Sequence, residues 1–272
     1  GGSNRENRRF TFLKINKGVM YLMFLGPMLY SSPKTFVRND LDTMSIGSSD
    51  GGAKDKLYGL MTTEKWLAHS DRVSQVLNGD FYGVKPVTVQ VVPSLLCNYK
   101  CPTCSYGHSK EEIREMLKSG NYDKHEFLMS SDNMRSLLAK LKEGGVKAIT
   151  ITGGGEPFTN KEVTLEAVSL AGKLGLDVGI FSNGSLLDEG AIRHVVRENV
   201  NFIRISLNAG TPEVHSLLHG TNSPRIFEKV IANIETLAKI KQEMKSNVGI
   251  GVAVIVNPLN LRNLVQIANR IK

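Results

Sequence analysis

From residue 87 onward the chain alternates between short β-branched runs and longer stretches with apolar residues at helical spacing. Residues 87–92, 148–152, 178–181, 202–206 and 248–256 read as buried strands, each bounded by polar or glycine-rich sequence. Amphipathic helices are predicted between them over 134–141, 163–174, 191–196 and 226–240. The last of these sets Ile226, Val230, Ile234 and Leu237 on one face. A final helix is predicted to start near Asn260 as N-cap and to carry Leu261, Leu264, Val265 and Ala268 inward. Five βα units in strict alternation imply an α/β fold with a parallel sheet covered by helices, because parallel neighbours need a crossover. Periodicity leaves open whether the sheet is doubly wound or a barrel. In both, ligands bind at the carboxyl ends of the strands, so the chemistry is expected just after each strand.

Residues 1–85 break this pattern and read as an N-terminal extension or cap, with 86–272 as the core. Within the extension, 45–56 (SIGSSDGGAKDK) has no apolar periodicity and is expected to be a loop. Arg5, Arg8, Arg9, Lys14 and Lys17 precede an apolar run at 19–29, which superficially resembles a secretory signal or membrane anchor. That run is too short to span a bilayer. It is expected to pack on the protein, with membrane contact the less favoured reading. Gly1-Gly2-Ser3 reads as a linker rather than native sequence.

Composition narrows the picture only slightly. With 41% hydrophobic and 22% charged residues over 272 positions, the chain is an ordinary globular one. The 34 Lys+Arg against 26 Asp+Glu leave a net charge of +8. That excess forms no basic stripe with stacking aromatics, so nucleic acid is not an expected partner. Three cysteines cannot make a disulfide framework, which points to a reducing compartment, the cytoplasm.

All three cysteines fall in one loop directly after the first predicted strand, as Cys97, Cys101 and Cys104 in a CxxxCxxC pattern. Three soft ligands so close suit an iron–sulfur cluster or zinc. A [4Fe–4S] cluster on three cysteines leaves one iron open for a ligand. The zinc alternative recruits His108, four residues after Cys104, to make a Cys3His set in a non-catalytic module. After the second strand comes Thr152-Gly153-Gly154-Gly155-Glu156-Pro157, where three glycines let backbone approach a ligand closely. Glu156 serves either as a ligand-facing carboxylate or as a helix N-terminal one favoured by the dipole.

The cysteine loop, the Gly153 to Pro157 turn, Ser182-Asn183-Gly184 after the third strand and Ile205-Ser206-Leu207-Asn208 at the fourth together resemble the radical S-adenosylmethionine (radical SAM) superfamily. The resemblance runs from about residue 87 to the C-terminal end. It implies a partial parallel (β/α)6-type barrel in which Cys97, Cys101 and Cys104 hold a [4Fe–4S] cluster. It also implies that S-adenosylmethionine lies against Gly153, Gly154, Gly155 and Glu156 at its methionyl end. Ser182, Asn183, Ser206 and Asn208 would reach its polar groups, and Val254 to Asn257 its adenine. Two departures stand out. Thr103 occupies a position before the third cysteine that is often aromatic, leaving Tyr106 as a candidate for stacking. Leu218-His219-Gly220 stands where Ile-Arg-Gly is frequent, so His219 or Arg204 is expected to pair with the methionine carboxylate, Arg204 being preferred because it lies in the strand.

The activity so implied is reductive cleavage of S-adenosylmethionine to a 5′-deoxyadenosyl radical, which abstracts hydrogen from an organic substrate. An external one-electron reductant is required. A small metabolite such as a sugar or nucleotide derivative is the favoured substrate, and a peptide or protein is the alternative. No further cysteine cluster follows Cys104, so auxiliary clusters of the peptide-maturase kind are not expected. The family barrel has six βα units, and the five read here imply a core lacking its sixth strand.

Overall fold

The structure, a computed structural model, describes residues 69–198 and 200–271, together with a short antiparallel hairpin of β1 (Leu13–Ile15) and β2 (Gly18–Met20). The loop expected at 45–56, and all of the apolar run at 19–29 beyond Met20, lie outside the described residues. The extension read over 1–85 is described only in the hairpin and from residue 69 onward. There α1 (Ser70–Leu77) is tied down by buried Arg72, whose guanidinium donates to the carbonyls of Lys85, Pro86 and Gly145 at 2.7–3.0 Å. That contact holds the helix at the amino-terminal edge of the sheet, away from the strand ends where chemistry is expected.

Five strands make one parallel sheet: β3 (Thr88–Val91), β4 (Ala148–Ile151), β5 (Asp177–Ser182), β6 (Phe202–Ser206) and β7 (Gly249–Ala253). Their spatial order follows the chain without reversal. A doubly wound sheet reverses at a switch point, whereas a barrel adds each strand on the same side of the last. The order therefore selects the barrel arrangement between the two left open by periodicity.

Between the strands run α3 (Ser131–Glu143), α4 (Lys161–Lys173), α5 (Glu189–Arg197), and the pair α6 (Pro212–His219) and α7 (Arg225–Glu243). Ser130 and Asp188 start α3 and α5 by accepting from backbone N–H groups at 3.3 and 2.8 Å. Pro212 at the first turn of α6 and Gly220 in the left-handed region just past its end bracket that helix. Ile149, Ile151, Val178, Ile180, Ile203 and Ile205 point to the helix side of the sheet and form one core with Met134, Leu138, Ala167, Ile192, Phe227 and Val230. Burying each such aliphatic side chain is worth roughly 1.5–3 kcal/mol.

The pattern misses α2 (Gly107–Lys118), which buries no residue, and the short α1 and α6. It also misplaces the C-terminal helix. Asn260 opens a single 3-10 turn, and α8 (Leu264–Arg270) follows it. Leu261 and Val265 are exposed rather than inward, and Ile267 is the buried anchor. The last strand ends at Ala253, so Ile255 and Val256 lie in a loop and are exposed. No described helix is long and apolar enough to cross a membrane.

Candidate functional site

The loop carrying the cysteines leaves β3 and is held at several points before α2 begins. Gly155 N–H donates to Ser94 O at 3.2 Å and Glu156 N–H to Leu96 O at 2.8 Å, so the glycine turn after β4 runs alongside the loop as backbone against backbone. The Thr159 hydroxyl adds a bond to Ser94 Oγ at 2.6 Å. Asn98 donates to Ser185 Oγ at 2.8 Å and accepts from Asn183 Nδ2 at 2.9 Å, which joins the loop to the end of β5. Lys100 N–H donates to His219 O at 3.0 Å, which joins it to the end of α6.

These close approaches explain two glycines. A Cβ on Gly155 would lie 2.1 Å from Leu96 O, and one on Gly220 would lie 2.3 Å from Lys100 O. The glycine at 155 is thus required by the cysteine loop itself, a reason the sequence pattern did not separate from ligand approach.

Cys97, Cys101 and Cys104 line one cavity of about 460 Å³ at the carboxyl ends of the strands. Gly153, Gly155 and Glu156 line it as well, as do Ser182, Asn183, Ser206, Asn208 and Asn257. Each thiol has a nitrogen neighbour: Tyr99 N–H at 3.4 Å from Cys97 Sγ, His219 Nδ1 at 3.4 Å from Cys101 Sγ, and Lys110 Nζ at 3.2 Å from Cys104 Sγ. Burial pushes the Cys97 thiol above its ordinary range and that of Cys101 up to about 11, with Lys110 opposing the rise at both. Thiolates must form before iron binds. The Tyr99 N–H beside Cys97 and the Lys110 ammonium beside Cys104 then stabilise sulfur charge and tune a cluster.

Buried Glu156 is held by three donors. Ser182 Oγ donates to Oε1 at 2.7 Å and Asn183 N–H to Oε2 at 2.7 Å, while Phe158 N–H reaches Oε1 at 3.2 Å. Burial raises its pKa and these bonds oppose the rise. The carboxylate thus caps the 3-10 turn Pro157–Asn160 and locks the end of β5 while facing the cavity. Both roles weighed for it from the sequence are compatible with this position. Asn208 adopts a left-handed conformation (φ 57°), and its Oδ1 accepts from Ile255 N–H at 2.8 Å. Leu207 packs into the helix-side core, so Ser206 and Asn208 face the cavity as alternation requires.

Gly154, Val254, Val256, Arg204 and the stacking candidate Tyr106, all read from the sequence as cofactor contacts, do not line the cavity. An added Cβ on Gly154 would meet Leu95 and Tyr106, and Gly154 itself does not line the cavity. Val254 packs on the hydrophobic core, and Ile255 lines the cavity in its stead. Arg204 stacks its guanidinium 4.1 Å from the centroid of Phe181, behind the cavity wall. His219 does line the cavity, with Nε2 3.2 Å from Leu207 O. A carbonyl only accepts, so Nε2 carries the proton and Nδ1 turns a lone pair toward Cys101. His108, the fourth ligand of the zinc alternative, is 91% exposed and pairs with Glu112 at 3.0 Å, outside the cavity. Among the described residues, no three His, Cys, Asp or Glu side chains converge as the ligands of one ion do.

Sequence reasoning missed Phe181, Tyr99 and Lys110, which line the cavity too. Strand alternation carries a signal for Phe181, since its neighbour Ile180 faces the helices. Lys110 lies one helical turn into an unpredicted helix and had no signal.

The donor set fits a cluster better than zinc: three thiols with nitrogen partners around an open cavity, faced by glycine backbone and hydroxyls that suit a polar cofactor. Comparison with known proteins agrees. A probable GTP 3′,8-cyclase of Sulfolobus acidocaldarius is 27% identical over 165 residues, 59% of this chain and 46% of that protein. An uncharacterized protein of Methanocaldococcus jannaschii is 31% identical over 105 residues, 39% of this chain and 35% of that one. The chain thus spans less than half the length of either relative. Among solved structures, Streptococcus suis SuiB bound to precursor peptide SuiA shares the fold, with a TM-score of 0.53 at 15% identity over 76% of this chain and 41% of that one. The model of the Radical SAM superfamily matches residues 91–270. This match takes in every strand-end motif described above and more than half of the sequence, and the chain belongs to the radical SAM superfamily, whose members bind a [4Fe–4S] cluster and S-adenosylmethionine.

Proposed function

We propose that the chain is the core of a radical SAM enzyme that abstracts hydrogen from a small organic metabolite. The observation carrying this reading is the single cavity walled by Cys97, Cys101 and Cys104 and by the glycine turn at Gly153 and Gly155. Cys97, Cys101 and Cys104 would hold the cluster. Gly153, Gly155 and Glu156 would receive the methionyl end of S-adenosylmethionine, and Ser182, Ser206 and Asn208 its remaining polar groups. When bound, this pair supplies one-electron cleavage of a sulfonium and hydrogen abstraction.

The chain's own residues orient and exclude. Glu156 fixes the turn against β5 through its three donors. The Asn98–Asn183 bond fixes the cysteine loop in the same frame, so both cofactor-binding segments hold one geometry. Phe181 and Leu218 supply apolar wall that limits water. Arg204 lies behind Phe181, and the one N–H of neutral His219 is engaged by Leu207 O, so neither is placed to donate to the methionine carboxylate.

A small metabolite is preferred because two sequence relatives are named for small-molecule chemistry, the probable GTP 3′,8-cyclase and an AdoMet-dependent heme synthase of Methanosarcina barkeri. The peptide-bound structural neighbour, at 15% identity, supports the fold alone. The reading predicts that protein reconstituted without oxygen is brown, with about four irons and four sulfides per chain. Colourless protein with one zinc would overturn it.

A further inference from the structure

Among the described residues, Arg204 on the inner face of the barrel arc is a half-buried cation with no counter-charge. By strand alternation that face carries Thr88, Gln90, Thr150, Gly179, Phe181, Phe202, Arg204, Gly249 and Gly251, opposite in parity to the isoleucines packed under the helices. Register places Arg204 between Phe181 on β5 and Gly251 on β7. The guanidinium stacks on Phe181, a residue of the cofactor cavity, and its Nε is buried with no hydrogen-bond partner among the described residues. Among the described residues no salt bridge includes it. The acid of matching parity, Asp177 at the opposite end of β5, accepts from Asn201 at 2.9 Å. Glu156 is engaged by its three donors. Burial alone lowers the Arg204 pKa, with no nearby charge contributing.

A buried donor left unpaired costs about 1–3 kcal/mol, more for a charged group. A ligand reaching the Nε–H of half-buried Arg204 would supply the missing partner. Glycine at 251 leaves room beside the side chain, since a Cβ there would lie 3.7 Å from Arg204 Cγ. Gln90 and Thr150, paired in register on the same face, add polar side chains to the lumen.

We propose that Arg204 anchors an anionic group of the substrate, a carboxylate or a phosphate, in the lumen beside the cofactor cavity. The planar guanidinium offers two parallel N–H donors to either anion, and Phe181 holds it in one plane. The assignment of the anion to a substrate rests on the radical SAM reading, whereas the anion site itself does not. It also moves Arg204 from the cofactor's carboxylate to the substrate's charged end.

The test is a titration of the full uniformly ¹⁵N-labelled chain with inorganic phosphate in one arm and acetate in the other, at constant ionic strength against chloride. The Nε–H cross-peak of Arg204 is identified by its loss in Arg204→Lys, and the Gly251 amide serves as a second reporter. The proposal expects a saturable millimolar shift of both signals by at least one anion, phosphate indicating a phosphorylated substrate and acetate a carboxylic one. It expects at least a tenfold weaker response of Gly251 in Arg204→Gln. No saturable shift, or an equal response of Gly251 in Arg204→Gln, overturns it. Because the titration needs neither cluster nor S-adenosylmethionine, an anion site can be found in a chain that fails to cleave the cofactor, and the two failures stay distinguishable.

Discussion

The two faces of the parallel sheet differ in almost every respect. Toward the helices, β4, β5 and β6 present Ile149, Ile151, Val178, Ile180, Ile203 and Ile205, closed into one dry core. Toward the lumen the same strands present Thr150, Gly179, Phe181, Phe202, Arg204 and Ser206. One face is chosen for volume and the other for chemistry. The difference shows why a strand can read as simply buried while half its side chains serve a site.

The contrast is broken most severely on the helix side. Ile180→Ala should lower unfolding stability by roughly 2–5 kcal/mol in denaturant titration, because a fully packed core leaves a cavity. Next comes the turn between the faces. In Gly155→Ala the new Cβ would press on Leu96 O, a backbone atom that cannot swing away. A loss of about 1–3 kcal/mol is expected, together with reduced iron content after reconstitution, since the cysteine loop must shift.

A third effect lies where His215 packs against Tyr99, His219 and Phe227 with both ring nitrogens unpaired among the described residues. Burial, then His219, pushes its pKa down to about 3. The unfolded chain therefore binds more protons between that value and the ordinary 6.5. The stability contributed by the neutral ring is present above pH 6.5 and is lost as pH falls toward 3, by roughly 3 kcal/mol at pH 4.5. Unfolding measured at pH 7 and pH 4.5 should show this loss, and His215→Phe should shrink it. The smallest effect belongs to the lumen. Gly251→Ala should change stability by no more than about 0.5 kcal/mol, because its Cβ meets Arg204 at ordinary contact distance. The same glycine-to-alanine exchange thus separates a turn that is filled from a lumen that is open.

Much of this was legible in the sequence for reasons that can be named. The strand runs are β-branched and end in motifs, so all five strands and the cavity positions of Ser206 and Asn208 follow from alternation. The three cysteines were legible because spacing alone confines them to one loop. Arg204 was not, since a strand position gives a residue's face but not what it stacks on. Gly154 and Val254, read from the sequence as cofactor contacts, do not line the cavity because consecutive residues in a turn or loop point different ways. The exposure of Leu261 and Val265 follows from the 3-10 turn that delays α8, a rotation that no apolar spacing reveals. Lys110 was hidden because the half-buried face of α2 carries Lys110 and Arg114 beside only two apolar residues, Ile113 and Leu117, too few to mark a helix.

The cavity between the cysteine loop and the glycine turn is proposed as the site of reductive cleavage of S-adenosylmethionine. The most direct test is the release of 5′-deoxyadenosine from S-adenosylmethionine by the reconstituted chain under a strong reductant without oxygen. The wild type should release it and Cys101→Ala should not. A fully loaded [4Fe–4S] protein that forms no 5′-deoxyadenosine would contradict it.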